Sequence, residues 1–141
     1  MKTIEVPDSH TDIIDQAFGL QREGVEKRRL TFGLDKRRAA LADLRDAIFS
    51  NESAIASAMM QDFGKPKAEV ILTDILPVLQ EIKTASRNLH RWMKPKWVAP
   101  TIGYLGTSAR VRPEARGVCL IIAPWNYPFN LAIGPLVSCL S

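Results

Sequence analysis

The chain of 141 residues predicts an α/β fold: amino-terminal helices, a β-hairpin arm, and the first strand, turn and helix of an incomplete parallel sheet. Three observations predict it. Apolar residues recur at helical spacing between Asp35 and Trp92. Arginines alternate with Val111 around a "PEA" turn. The run "VCLIIA", Val118 to Ala123, is apolar throughout, as a strand covered on both faces must be, and prolines punctuate the residues after it.

A first helix is expected from Thr11 to Leu30, with Ile14, Ala17, Phe18 and Val25 as a partial apolar stripe and Gly19 and Gly24 weakening it. Asp35 is placed to cap a second helix whose Leu41, Leu44 and Ile48 share one face, leaving Arg37, Arg38 and Arg45 to water. "SNES", Ser50 to Ser53, offers caps for a third helix carrying Ile55 and Met59, which ends at "DFGKP", where Gly64 suits the left-handed conformation and Pro66 blocks continuation. A fourth helix, Lys67 to Trp92, carries Ile71, Ile75, Leu79, Ile82, Leu89 and Trp92, with a kink or restart at Pro77. "MKPKWVAP" and "TIGYLGTS" read as a connector. "SARVRPEARGV" then reads as two short strands joined by a turn.

Past the strand Val118–Ala123, Pro124 ends the extended run, Tyr127 is held extended by the proline after it, and Pro128 fits the first turn of a helix. In open parallel sheets ligands bind beyond the carboxyl ends of the strands, which places Trp125 and Asn126 at a candidate site. The neutral amide of Asn126 can donate to a developing oxyanion, or it can simply organise the turn.

Composition narrows the class. With 46% hydrophobic and 24% charged residues the chain is globular rather than disordered. Its net charge of +4 is concentrated between Arg87 and Arg116, where seven bases face one acid, Glu114, with Trp92, Trp97 and Tyr104 interleaved. No nucleic-acid motif accompanies these bases, so they read as a solvated connector and strand face, and no nucleic-acid partner is expected. Cys119 and Cys139 lie in apolar surroundings without metal or redox spacing and are expected to be reduced and buried; His10 and His90 have no ligand neighbours, so no metal site is expected. The opening fifteen residues carry acids and no apolar core segment, which excludes a secretory signal and makes the cytoplasm the expected compartment.

The string "IIAPWNYPFNL", Ile121 to Leu131, closely resembles the segment opening the cofactor-binding domain of the aldehyde dehydrogenase superfamily, and "WNYPFNL" resembles its class 3 branch of fatty, aromatic and coniferyl aldehyde enzymes. "KRRAALADLRDAIFSNESAIASAMMQDFGKP" has the look of the family's amino-terminal helices, and "RVRPEARGV" resembles its oligomerisation arm. The resemblance implies a Rossmann-like cofactor-binding sheet, NAD or NADP as cofactor, an aldehyde substrate, and a homo-oligomer formed through the hairpin arm. It divides the chain into a variable segment (1–10), the helical part of the cofactor-binding domain (11–96), connector and arm (97–117), and the first strand and helix of the sheet (118–141). By it, Asn126 is the catalytic oxyanion donor to a cysteine thiohemiacetal, and Ile122, Ala123, Pro124, Trp125 and Asn126 line the nicotinamide-ribose side of the cofactor cleft.

The family's nucleophilic cysteine, its general-base glutamate and its ribose-binding lysine and glutamate have no counterpart here, so the chain is expected to be an amino-terminal portion, inactive alone. Two rivals stand beside this reading. The last twenty-five residues carry no charge, enough for a membrane anchor, although Pro124, Pro128, Pro135, Asn126 and Asn130 oppose it. Alternatively, residues 11–92 form a helical interaction module.

Overall fold

The structure is a computed structural model that describes residues 8–104 and 106–141. The expected variable segment falls largely outside the described residues. Contacts divide the chain into two units: residues 1–33 with 115–120, and residues 34–114 with 121–141.

In the first unit the single expected helix is two, α1 (Asp8–Glu23) and α2 (Val25–Thr31). Gly24 separates them because it leaves the Arg28 side chain room to lie over its α-carbon and donate to the Gln21 carbonyl exposed by the break. The expected stripe is not buried: Ile14 and Phe18 are exposed, and no described side chain of this unit is fully buried. A Cβ placed on Gly117, whose φ is +110°, would come into ordinary van der Waals contact with the Val25 side chain.

The second unit holds the core. Helix α3 (Leu34–Ser50) buries Leu41 and Ile48, as its periodicity requires, and Asp35 sits in the first turn, where a carboxylate favours the helix dipole. Arg37, expected in water, instead donates to the Leu140 carbonyl at 3.0 Å. Asn51 separates α3 from α4 (Glu52–Phe63): its side chain donates back to the Ala47 carbonyl at 2.8 Å while its own carbonyl accepts the Ile55 N–H at 2.9 Å. Gly64 ends α4 at φ +67°, and its N–H and that of Lys65 return to the Met60 and Met59 carbonyls. Replacing Gly64 by alanine is expected to cost about 1–2 kcal/mol, read from the denaturant midpoint, because a Cβ is strained in that conformation even though open space surrounds it.

The long fourth helix is built as α5 (Lys67–Val70), a π-helical turn (Ile71–Ile75) and α6 (Leu76–Trp92). Pro77 sits in the first turn of α6, so the restart prevails over the kink: the wider turn places the residue lacking an N–H where its donor is dispensable. Val70, Ile75, Val78, Ile82, Ala85 and Leu89 are buried, each of the larger aliphatic side chains worth about 1.5–3 kcal/mol of hydrophobic stabilisation. α7 (Pro128–Leu140) packs on α6 and adds Val137 to this core. No helix among the described residues is long and apolar enough to cross a membrane; α7 has 13 residues where about 20 are needed.

Two expected strand features differ. The arm pairs Ala109–Val111 (β2) not with the residues after "PEA" but with Lys96–Val98 (β1), antiparallel, placing Trp97 opposite Arg110. The Arg110 guanidinium lies 3.8 Å from the Trp97 ring centroid, a contact that favours this partner, and Gly106 at φ +91° lets the connection turn back. The run Val118–Ala123, expected to be a strand, has no regular secondary structure and pairs with no strand among the described residues. A strand apolar on both faces acquires a ladder only from neighbours, and the described strands β1 and β2 pair with each other alone. Leu120 and Ile122 are accordingly 82% and 84% exposed. Cys119, on this run, is exposed rather than buried for the same reason; Cys139 is exposed because Gly134 and Val137 set the buried face of α7.

Candidate functional site

The residues from Ile121 to Asn130 lie wholly in the second unit, where an irregular segment feeds the amino end of α7 through the bends at Trp125, Asn126 and Tyr127. Tyr127 occupies the cap position with φ −140° and ψ 68°, outside the helical region that a following proline disfavours but short of a fully extended backbone. Its carbonyl accepts the Leu131 N–H at 2.9 Å, the first bond of the helix, and Pro128 fills the first turn, where its missing N–H has no consequence.

What fixes this turn is a buried ion pair that no motif in the sequence announces. Asp74, in the π-helical turn, is 0% exposed, and its Oδ2 receives Lys65 Nζ at 2.7 Å. Its Oδ1 accepts the backbone N–H of Asn130 at 3.3 Å, so the carboxylate also satisfies an amide at the amino end of α7, where the helix dipole favours negative charge. The Thr73 hydroxyl stands 2.9 Å from the Glu69 carbonyl and 3.2 Å from Asp74 Oδ2, and its single proton serves one at a time. Pro77 has no N–H to offer the Thr73 carbonyl four residues earlier; Asn130 Nδ2 donates to that carbonyl at 3.2 Å. Lys65 Nζ lies 4.2 Å from the Tyr127 ring centroid. A signal for Asp74 was present: Val70, Asp74 and Val78 recur every four residues, so the aspartate stands on the apolar stripe rather than on the wet face.

Asn126 is exposed, and its side-chain amide has no hydrogen-bond partner among the described residues. It therefore does not brace the turn through an Asx-type bond; the turn is held by its neighbours instead. Of the other residues picked out by sequence, Ile122 and Trp125 are 84% and 74% exposed, Pro124 is exposed and Ala123 is half-buried. These four apolar residues directly precede Asn126 in the chain. Neither cysteine joins them: Cys139 lies about 16 Å further along α7 than Pro128, and Cys119 belongs to the other unit. No group of acidic, histidine or cysteine residues suited to a metal occurs among the described residues. A groove of about 640 Å³ runs elsewhere, between α6 and the carboxyl end of α7, against Glu81, Trp92 and Ser138; it contains none of the residues of the turn.

A profile of the aldehyde dehydrogenase family matches residues 2–141, essentially the whole chain. The chain belongs to the aldehyde dehydrogenase family. Among its relatives, the 4,4'-diaponeurosporen-aldehyde dehydrogenase of Staphylococcus aureus is 35% identical over 130 residues, covering 92% of this chain and 28% of the relative. A probable coniferyl aldehyde dehydrogenase of Pseudomonas aeruginosa is 38% identical over 102 residues, and bovine aldehyde dehydrogenase family 3 member B1 is 38% identical over 105. These cover 72% and 74% of this chain but only 21% and 22% of the relatives. The fold agrees with the amino-terminal region of the family: the substrate-bound structure of Staphylococcus aureus AldH superposes with a TM-score of 0.84 at 35% identity, over 90% of this chain and 28% of that one. The chain thus spans under a third of the length of these family members.

Proposed function

We propose that the chain supplies the amino-terminal part of an NAD(P)-dependent aldehyde dehydrogenase, converting an aldehyde to a carboxylic acid, and that Asn126 is its oxyanion donor. The observation that supports this most is the state of Asn126: a neutral amide in a turn anchored on its carboxyl side, exposed and with its donors uncommitted to the described residues. Such a donor binds the aldehyde oxygen more strongly as negative charge develops on it, without needing a proton of its own to move. Ile122, Ala123, Pro124 and Trp125 would form one wall of the cofactor cleft. Their exposed apolar surface fits the flat face of a nicotinamide and its ribose rather than the charged phosphates. NAD(P)+ bound there would supply the hydride acceptor.

The remaining parts of the proposal rest on the family. The β1–β2 arm, exposed along both strands, is the contact through which a homo-oligomer forms, and residues 1–10, 11–96, 97–117 and 118–141 serve as variable segment, helical part, connector with arm, and first strand and helix of the sheet. The cytoplasm is the proposed compartment.

A chimera provides the test. This chain would replace the aligned 28% of the Staphylococcus aureus enzyme, leaving that enzyme's own nucleophile and base in place. The chimera is expected to reduce NAD(P)+ in the presence of an aldehyde, whereas the 141-residue chain alone is expected to give no turnover, since Cys139 is about 16 Å along the helix from the turn. A chimera that folds, binds cofactor and shows no aldehyde oxidation would overturn the proposal.

A further inference from the structure

We infer that Lys65 and Asp74 form a clasp whose role is to set the position of Asn126, making them positioning residues for the oxyanion donor. The clasp deepens the function proposed above and rests on it for its catalytic meaning. Its basis is that the pair holds two residues in succession on the carboxyl side of Asn126. Before the donor's helix begins, the Lys65 ammonium sits over the Tyr127 ring at 4.2 Å, on the residue directly after Asn126. Within the first turn of α7, Asp74 Oδ1 accepts the Asn130 N–H at 3.3 Å, and Asn130 Nδ2 holds the Thr73 carbonyl at 3.2 Å. The two grips are tied together by the 2.7 Å ion pair, in which Asp74 is fully buried and the Lys65 side chain is 11% exposed.

Each half of the clasp is itself held. Lys65 follows Gly64, whose left-handed conformation turns the chain back after α4, and Asp74 lies on the π-helical turn that the following Pro77 restarts as α6. The site is thereby referenced to helices whose buried faces form the core, while Asn126 itself makes no bond to them. A merely stabilising ion pair would need no contact with the turn. This one contacts the turn at Tyr127 and the first turn of the following helix at Asn130, and a donor must be held to within a fraction of an ångström to be effective.

The test compares two variants with the unaltered full chain by hydrogen exchange and mass spectrometry. Removing one charge alone could unfold the chain, so the decisive variant is Lys65→Met combined with Asp74→Leu, which replaces the pair by apolar groups of similar size and keeps the core filled. Exchange across residues 125–131 is expected to quicken by about tenfold or more, with residues 78–89 of α6 unchanged. Lys65→Arg, which retains both the charge and the ring contact, is expected to keep the slow exchange. Unchanged exchange at 125–131 in the double variant, or equal acceleration in both segments, would overturn the clasp.

In the chimera the same double variant should lower kcat with the aldehyde KM little changed. Added to Asn126→Ala it should lower kcat no further, because a positioning residue acts only through the group it positions. Additive losses would overturn the clasp. An Asn126→Ala chimera with undiminished kcat would instead overturn the oxyanion role, leaving the exchange result to stand by itself.

Discussion

In the chimera, Asn126→Ala is expected to lower kcat by about 10²–10³-fold, equivalent to roughly 2.7–4 kcal/mol of transition-state stabilisation. The loss should fall on kcat rather than KM, because the amide bonds the oxygen most strongly once negative charge has developed on it. Asn126→Asp should be no better: a carboxylate repels the oxyanion and has no donor to offer it. Stability should hardly move, within about 0.5 kcal/mol, since the side chain is exposed and bonded to none of the described residues. A large kinetic effect with an unchanged unfolding midpoint is the signature of a residue that serves the reaction and not the fold.

The opposite signature is expected for Asp74→Ala, with a loss of about 3–5 kcal/mol of folding stability in urea denaturation of the chimera. The alanine leaves the Lys65 ammonium, 11% exposed in its side chain, without its counter-charge and removes the acceptor of the Asn130 N–H, so two polar groups lose their partner together. Lys65→Met combined with Asp74→Leu should be nearly neutral by comparison, because it removes both charges from the interior at once. Near-equal stability of Asp74→Ala and the unaltered protein would mean that water reaches the pair, contrary to its burial.

The helical half of the fold was legible because its signals are local. Leu41, Leu44 and Ile48 declare a face by spacing alone, and Gly64 followed by Pro66 declares an end. What the residues could not disclose was pairing. Val118–Ala123 has the composition of an interior strand, yet a ladder is a property of two segments, and the described residues provide no second one. In the arm, "KWV" was hidden between Pro95 and Pro100, and its choice as partner depends on Trp97 meeting Arg110 across the strands, a contact that appears in no linear spacing.

At the site, the turn "PWNYP" was legible from its prolines and from its resemblance to the family. Its support was not. Lys65, Asp74, Tyr127 and Asn130 come from three separate stretches, and only the packing of α7 against the π-helical turn unites them. The cysteines failed for a related reason: apolar neighbours in sequence imply burial only where something in space covers them.

The most direct measurement of the central claim is a crystal structure of the chimera with a slowly reacting aldehyde bound. Asn126 Nδ2 is expected about 2.7–3.1 Å from the substrate oxygen, with Ile122 and Trp125 beside the cofactor. An Asn126 amide turned into the α7 turn, with the aldehyde oxygen held by other groups, would contradict the account.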